Sequence, residues 1–272
     1  MNITIVAGAR PNFVKIAPII HAIKAAQTWK FDISYRLVHT GQHYDKKMSD
    51  DFFEQLGIPQ PDVNLGAGGG TQAEQAANVM IRFEQELAAN PSDMVLVVGD
   101  VTSTMACSIV AKKLNTPLAH VEAGIRSNDL TMPEEINRMV TDAITDYFFT
   151  TSEKAGENLR KAGASEDRIF FVGNTMIDTL LHQLPNLKQP SFWDRYGLQE
   201  KQYFVMTLHR PANVDQDQHL LSLIEEIIRV SRGLPLVFPV HPRTEQIISR
   251  ISIEAGNLHL VWPDFDGSSV LA

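Results

Sequence analysis

The run Met94–Val98, MVLVV, is apolar at every position. A strand that faces water on one side alternates polar and apolar residues. A strand with no polar side belongs in the middle of a parallel sheet covered by helices on both faces. Similar short runs recur at Asn2–Ala7, Phe31–Val38, Leu118–Val121, Tyr147–Thr150 and Ile169–Val172, and each is followed by a stretch with helical character. The first such stretch, Phe13 to Ala26, sets Val14, Ile16, Ile19, Ile20 and Ile23 on one stripe. Further helices are expected at Lys47–Leu56, from Thr71 to about Ala89 behind a Thr71/Glu74 capping box, and at Ser152–Ala162 and Ile177–Leu184. Strands alternating with helices across short connections predict a parallel, doubly wound α/β sheet.

The 272 residues exceed what one compact core usually holds. The rhythm breaks at Leu187–Lys201, which carries Pro190, Trp193, Gly197 and a run of charges, and then restarts. Strands are expected at Tyr203–Leu208, Pro235–Pro239 and Leu258–Trp262, with helices at Gln218–Ser231 and Arg243–Ala255. This predicts a first Rossmann-like domain over 1–186, an interdomain segment over 187–201 and the start of a second Rossmann-like domain over 202–272.

In open α/β sheets ligands bind outside the carboxyl ends of the strands, so the strand ends name the candidates. After the first strand, Gly8-Ala9-Arg10-Pro11 turns into a helix start, where free N–H groups converge on an anion. Arg10 and Lys15 either add positive charge there or simply solvate the helix. The second strand runs into His39-Thr40-Gly41-Gln42-His43, where Gln42 and His43 either line the cleft or make strand-end hydrogen bonds. Gly66–Gly70 reads as a hinged loop; no Gly-Lys-Ser/Thr follows, so it is not a P-loop. Met94–Val98 ends in Gly99-Asp100, and Asp100 either caps the next helix or reaches the ligand. Leu118–Val121 delivers Glu122, with Gly124 permitting a sharp exit. Pro133 opens a helix whose first turn holds Glu134 and Glu135, where the helix dipole favours acids. Glu135 is expected to be solvated. The second half ends its strands in His209-Arg210, with Asn213 close behind, and in His241-Pro242-Arg243. Two halves facing across a cleft would set these opposite Asp100, Glu122 and Glu134.

A net charge of -8 argues against a general nucleic-acid surface. The single cysteine, Cys107, excludes an internal disulfide, suits a reducing cytosol and sits in an apolar helical pattern as a buried, inert thiol. No Cys/His spacing suggests a metal. The Gly8 turn lacks the three-glycine fingerprint of a dinucleotide site, so no cofactor is expected. Nothing approaches a membrane span, and the chain enters its first strand with no basic leader. These features predict a soluble, cytoplasmic protein of enzyme size.

The segments GARPNFVKIAPII, TGQH (Thr40–His43), VVGDVTST (Val97–Thr104), HVEAGIRS (His120–Ser127), PEEINR (Pro133–Arg138), GNTMID (Gly173–Asp178), TLHRPAN (Thr207–Asn213) and PVHPRT (Pro239–Thr244) occur in this order. Together they resemble the non-hydrolysing UDP-N-acetylglucosamine 2-epimerases. The resemblance implies two Rossmann-like, doubly wound parallel-sheet domains of the B-type glycosyltransferase architecture. Its second domain would extend about 100 residues past Ala272, so that domain is expected to be incomplete. It implies inversion at C2 of a UDP-sugar by elimination of UDP to 2-acetamidoglucal and re-addition, for cell-envelope polysaccharide synthesis. Asp100, Glu122, Glu134 and His209 would be catalytic, the crowded acids raising one another's pKa so that one is ready to donate. Arg10, Lys15 and His209 would face the diphosphate, with Gln42, His43, Arg138, Arg210, Asn213 and His241 binding substrate. The resemblance also implies a homodimer, with no membrane or nucleic-acid partner. After TGQH the chain reads Tyr44-Asp45-Lys46-Lys47-Met48, unlike members with a second, regulatory substrate site, so substrate activation is not expected. That segment is similar to relatives acting on UDP-2,3-diacetamido-2,3-dideoxyglucuronic acid. The rival readings are a B-type glycosyltransferase and an inactive truncated remnant that binds a nucleotide sugar.

Overall fold

The computed structural model describes residues 1–41, 53–208, 211–214, 216–240, 242–251, 253 and 256–262. The chain forms two compact units, Met1–Pro185 and Asn186–Ala272.

The first unit is built on a sheet of strands β1 (Asn2–Ala7), β2 (Ser34–His39), β3 (Val63–Asn64), β4 (Met94–Val98), β5 (Leu118–Val121), β6 (Tyr147–Thr150) and β7 (Ile169–Phe171). Their order is β3-β2-β1-β4-β5-β6-β7, every pair parallel. The order reverses between β1 and β4, so the loops leaving these two strands part and open a crevice at their carboxyl ends.

β4 explains why its sequence has no polar side. Leu96 and Val98 face a core with Ile3, Ile5, Phe13, Ile16 and Ile20, whereas Val95 and Val97 face a second core with Val79, Phe83, Cys107 and Val110. The first face is covered by α1 (Arg10–Thr28) and the second by α2 (Gln72–Ala89) and α3 (Thr102–Lys113). Each fully buried Phe or Ile of α1 contributes about 2 kcal/mol of transfer free energy. Cys107 is fully buried, as its pattern predicts, and burial pushes its thiol pKa up. The capping box of α2 is also present: Thr71 N–H donates to Glu74 at 2.8 Å and Glu74 N–H donates to Thr71 Oγ1 at 3.2 Å.

Pro18 lies inside α1 and cannot donate to the carbonyl of Val14. The hydroxyl of Thr179, on α6 (Thr175–Gln183), donates to that carbonyl at 2.6 Å and ties the two helices together. Between α3 and α6 lie α4 (Pro133–Ile144) and α5 (Glu153–Lys161).

Strand expectations change at the second strand and after it. The second strand starts at Ser34, and Phe31 is 64% exposed in the turn before it. β3 is an additional two-residue edge strand, anchored by the Leu37 N–H donating to the Asp62 carboxylate at 2.7 Å.

The second unit holds a parallel sheet ordered β10-β9-β8, from β8 (Phe204–Val205), β9 (Leu236–Pro239) and β10 (Leu258–Val261). The expected Tyr203–Leu208 strand shortens to β8, which pairs only with Leu236 and Val237. Residues 187–201 include the short helix α7 (Ser191–Arg195), and Tyr196 stacks on His259 at 4.3 Å. α8 (Pro211–Val214), α9 (Asp217–Val230) and α10 (Pro242–Ile248) complete the unit. No described helix is long and apolar enough to cross a membrane.

Candidate active site

The crevice at the strand reversal is walled by the turns after β1, β4 and β5. In the first, the Gly8 and Ala9 N–H groups both donate to Asn12 Oδ1, at 3.0 and 2.9 Å. Asn12 Nδ2 in turn donates to the Val98 carbonyl at 3.2 Å, so this buried side chain ties the β1 turn to the end of β4. The converging free amides expected at Gly8 and Ala9 are therefore already satisfied. Any anion here would be met by side chains instead.

Lys15, one turn into α1, reaches across the crevice and donates to Glu122. Both side chains are 12% exposed. Glu122 directly follows β5 with φ +69°, a left-handed conformation that costs a side-chain-bearing residue roughly 1–2 kcal/mol. Such backbone persists where surrounding contacts hold it. The pair lies over the end of β4: a methyl added at Gly99 would be 3.1 Å from Lys15 Nζ and 3.5 Å from Glu122 Oε2. Gly124 makes the sharp exit, with φ +79°, where a Cβ would come within 2.3 Å of the Ala155 carbonyl oxygen.

Asp100 is gripped by α4. Arg138 donates to its carboxylate at 2.5 Å, and Asn137 Nδ2 donates to its backbone carbonyl at 2.8 Å. Arg138 also donates to Glu135 at 2.8 Å. Glu135 is 1% exposed and accepts the N–H groups of Ser127 and Asn128 at 3.0 and 3.1 Å. It is thus a buried structural anion, not the solvated acid expected from its helix position. Burial alone would raise its pKa, but the amides and Arg138 prevail and hold it down at about 2.

Asp100 and Glu122 each meet a cation, while Glu134 is exposed at the start of α4 and makes no ion pair among the described residues.

A sequence model of the family described as UDP-N-acetylglucosamine 2-epimerase matches residues 25–265. The chain belongs to this family. It is 38% identical to the UDP-N-acetylglucosamine 2-epimerase of Methanocaldococcus jannaschii over 93% of this chain and 69% of that protein. It is 37% identical to the UDP-2,3-diacetamido-2,3-dideoxy-D-glucuronate 2-epimerase of Pseudomonas aeruginosa, over 96% of this chain and 75% of that one. The crystal structure of the M. jannaschii enzyme in complex with UDP-GlcNAc and UDP superposes with a TM-score of 0.82 at 36% identity, covering 98% of this chain and 75% of that one. The protein is an isomerase of the non-hydrolysing 2-epimerase family.

Within this epimerase, sequence reasoning missed a buried charge network next to the acids. His120, on β5, meets the Asp142 carboxylate through Nδ1 at 2.7 Å and the Gly99 carbonyl through Nε2 at 2.9 Å. Asp142 Oδ2 also takes Arg126 at 2.6 Å and the Gly124 N–H at 3.1 Å. Burial would raise the Asp142 pKa, but His120 and Arg126 lower it overall. The one visible signal was a histidine inside an otherwise apolar strand. His39 is different: it stacks on Phe13 at 5.2 Å, accepts the Gly41 N–H at Nδ1, and burial lowers its pKa to about 4, leaving the ring neutral at pH 7.

The glycine loop is less of a hinge than expected. Ala67 N–H donates to the Thr40 carbonyl at 2.8 Å, and Arg82 donates to the Gly66 carbonyl at 2.7 Å, so its first half is pinned. Arg10 opens α1 and is half-buried. In the second unit Asn213 lies half-buried on α8 and Arg243 belongs to α10. Gln42, His43, His209, Arg210 and His241 lie outside the described residues, as does Tyr44–Met48. Among the described residues no cluster of three His, Cys, Asp or Glu side chains could hold a metal ion.

Proposed function

We propose that this protein interconverts UDP-N-acetylglucosamine and UDP-N-acetylmannosamine. The observation that carries the reading is Glu122, held on left-handed backbone against Lys15 and next to the Asp100–Arg138 pair, in the crevice where the strand order reverses. The C2 proton of the sugar is not acidic, and the reaction becomes feasible when its removal accompanies departure of UDP. Glu122, an ion-paired carboxylate, takes the C2 proton. The C–H electrons form the C1–C2 double bond of 2-acetamidoglucal, and the C1–O bond breaks with its electrons leaving on UDP. Return of a proton to the opposite face of C2 and attack of the UDP oxygen at C1 complete the inversion. The returning proton comes from Asp100 or Glu134. Arg10 and Lys15 supply the fixed positive charge that favours the leaving oxygen of the diphosphate.

The test is proton NMR of UDP-N-acetylglucosamine incubated with the protein in D2O. Deuterium at C2 with formation of UDP-N-acetylmannosamine is the expected result, and Glu122→Gln should lose the exchange while staying folded. Release of free N-acetylmannosamine, or exchange undiminished in Glu122→Gln, would overturn the reading. The near-equal identity to the P. aeruginosa relative supports a second substrate, UDP-2,3-diacetamido-2,3-dideoxyglucuronic acid. The same experiment run on that sugar decides between them.

A further inference from the structure

Asp100 and Glu122 leave neighbouring strands, and strand pairing ends before both of them: the β4–β5 register closes at Val98 and Val121. One backbone bond continues past the ladder, from the Gly99 N–H to the Val121 carbonyl at 3.0 Å, and side chains fix the rest of one turn against the other. The His120 ring lies between them. It is fully buried, its Nε2 meets the carbonyl of Gly99, adjacent to Asp100, and its Nδ1 meets Asp142. Asp142 holds the N–H of Gly124, two residues beyond Glu122, and it stands on α4, the helix that grips Asp100 through Arg138 and Asn137. The β4 turn, the β5 turn and α4 therefore meet at one imidazole.

The ring's protonation follows from the acceptors. A carbonyl oxygen can only accept, so Nε2 must carry hydrogen. Asp142 already takes Arg126 and an amide N–H on its other oxygen, which keeps it a carboxylate, so Nδ1 must carry hydrogen too. The charged groups facing the ring are Asp142 and, across that carboxylate, Arg126.

We propose that His120 is a positioning residue for the reaction, a ring that donates from both nitrogens and so holds the Asp100 and Glu122 turns in register. This rests on the reading in which those two acids act at C2. His120 touches no reacting atom and acts only through the turns it joins.

Two variants of the whole protein separate placement from charge. In Asp142→Asn the amide can donate to Nδ1 of a neutral ring while Gly99, Gly124 and Arg126 keep their bonds, so the geometry survives without the imidazolium. In His120→Gln a shorter side chain reaches only one of the two acceptors. With the ring nitrogens labelled with ¹⁵N, the wild-type His120 should show two N–H groups. His120→Gln should lower kcat at least about tenfold with KM within about threefold, and should displace the amide resonances of Asp100 and Glu122. Asp142→Asn should keep kcat within about fivefold and leave those amides in place.

A wild-type ring with only one N–H group would overturn the proposal. So would unmoved Asp100 and Glu122 amides in folded His120→Gln, or Asp142→Asn losing as much turnover as His120→Gln. If His120→Gln does not fold, the wild-type ring and Asp142→Asn still decide. A wild-type protein that fails to exchange the C2 proton refutes the reaction instead, and the ring and amide resonances then judge the positioning on their own.

Discussion

Replacing Glu135 with glutamine tests whether this acid is a structural anion. The carboxylate is 1% exposed and binds two loop amides and Arg138, and its pKa falls from 4.5 to about 2. A shift of that size corresponds to about 3 kcal/mol in favour of the folded state, present above the unfolded pKa and lost as pH falls through the folded one. Glutamine keeps one acceptor oxygen and sets an N–H₂ where the second should accept, so the ionic part of this stabilisation disappears. Glu135→Gln should therefore destabilise the first unit by about 3 kcal/mol at pH 7. At pH 3 the wild-type contribution has itself shrunk to about 1 kcal/mol, so the two proteins should converge. Because the chain has two units, stability is best read locally, from amide hydrogen exchange of the Met94–Val98 strand at several pH values. A difference below about 1 kcal/mol at pH 7, or one that does not narrow with acid, would refute the assignment.

Thr179→Val should cost about 1–3 kcal/mol by leaving the Val14 carbonyl unpaired, and less in a Pro18→Ala background, where the restored N–H can serve it; additive effects in the double-mutant cycle would refute the coupling. Gly8→Ala would put a Cβ 1.9 Å from Ser103 Oγ and 3.0 Å from Thr40 Oγ1, and should cost about 1–3 kcal/mol. Ser103→Ala in the same chain should recover part of that loss, and urea titration of the set checks it.

The parts of this fold that were legible in the sequence are those governed by local rules. An all-apolar strand demands cover on both faces wherever it lies, and the Thr71/Glu74 capping box involves residues three apart. Asp100 and Glu122 stand out in the sequence because strand ends are where this architecture puts ligands. What escaped depends on pairing at a distance. Lys15 and Glu122 are 107 residues apart, and His120 and Asp142 are 22 apart, a spacing that no helix or strand period marks. Glu135 shows the limit most plainly. The helix dipole favours an acid in the first turn whether it is wet or dry, and only the Ser127–Asn128 loop folding over it makes it buried. The Gly8 turn misled in the opposite direction, because Asn12, within the same short motif, supplies the acceptor that an anion would have offered.

The left-handed backbone at Glu122 makes a claim about stored strain that can be measured. Glycine at that position relieves roughly 1–2 kcal/mol of conformational cost, less the roughly 0.5–1 kcal/mol by which glycine stabilises the unfolded chain. Glu122→Gly alone, however, strands the Lys15 ammonium in a place where its side chain is only 12% exposed, and an uncompensated buried charge costs more than the strain releases. Adding Lys15→Met removes that charge and keeps an apolar stem in contact with the turn. The double variant should therefore be at least as stable as the wild type, the single variant Glu122→Gly should be less stable than either, and both should be inactive in the C2 exchange. That ordering is what a site held against its own stability predicts, since the strain and the ion pair persist only for the position of one carboxylate. A double variant more than about 1 kcal/mol below the wild type would mean that the Lys15–Glu122 pair holds the fold together, and that its conformation stores no strain for the reaction.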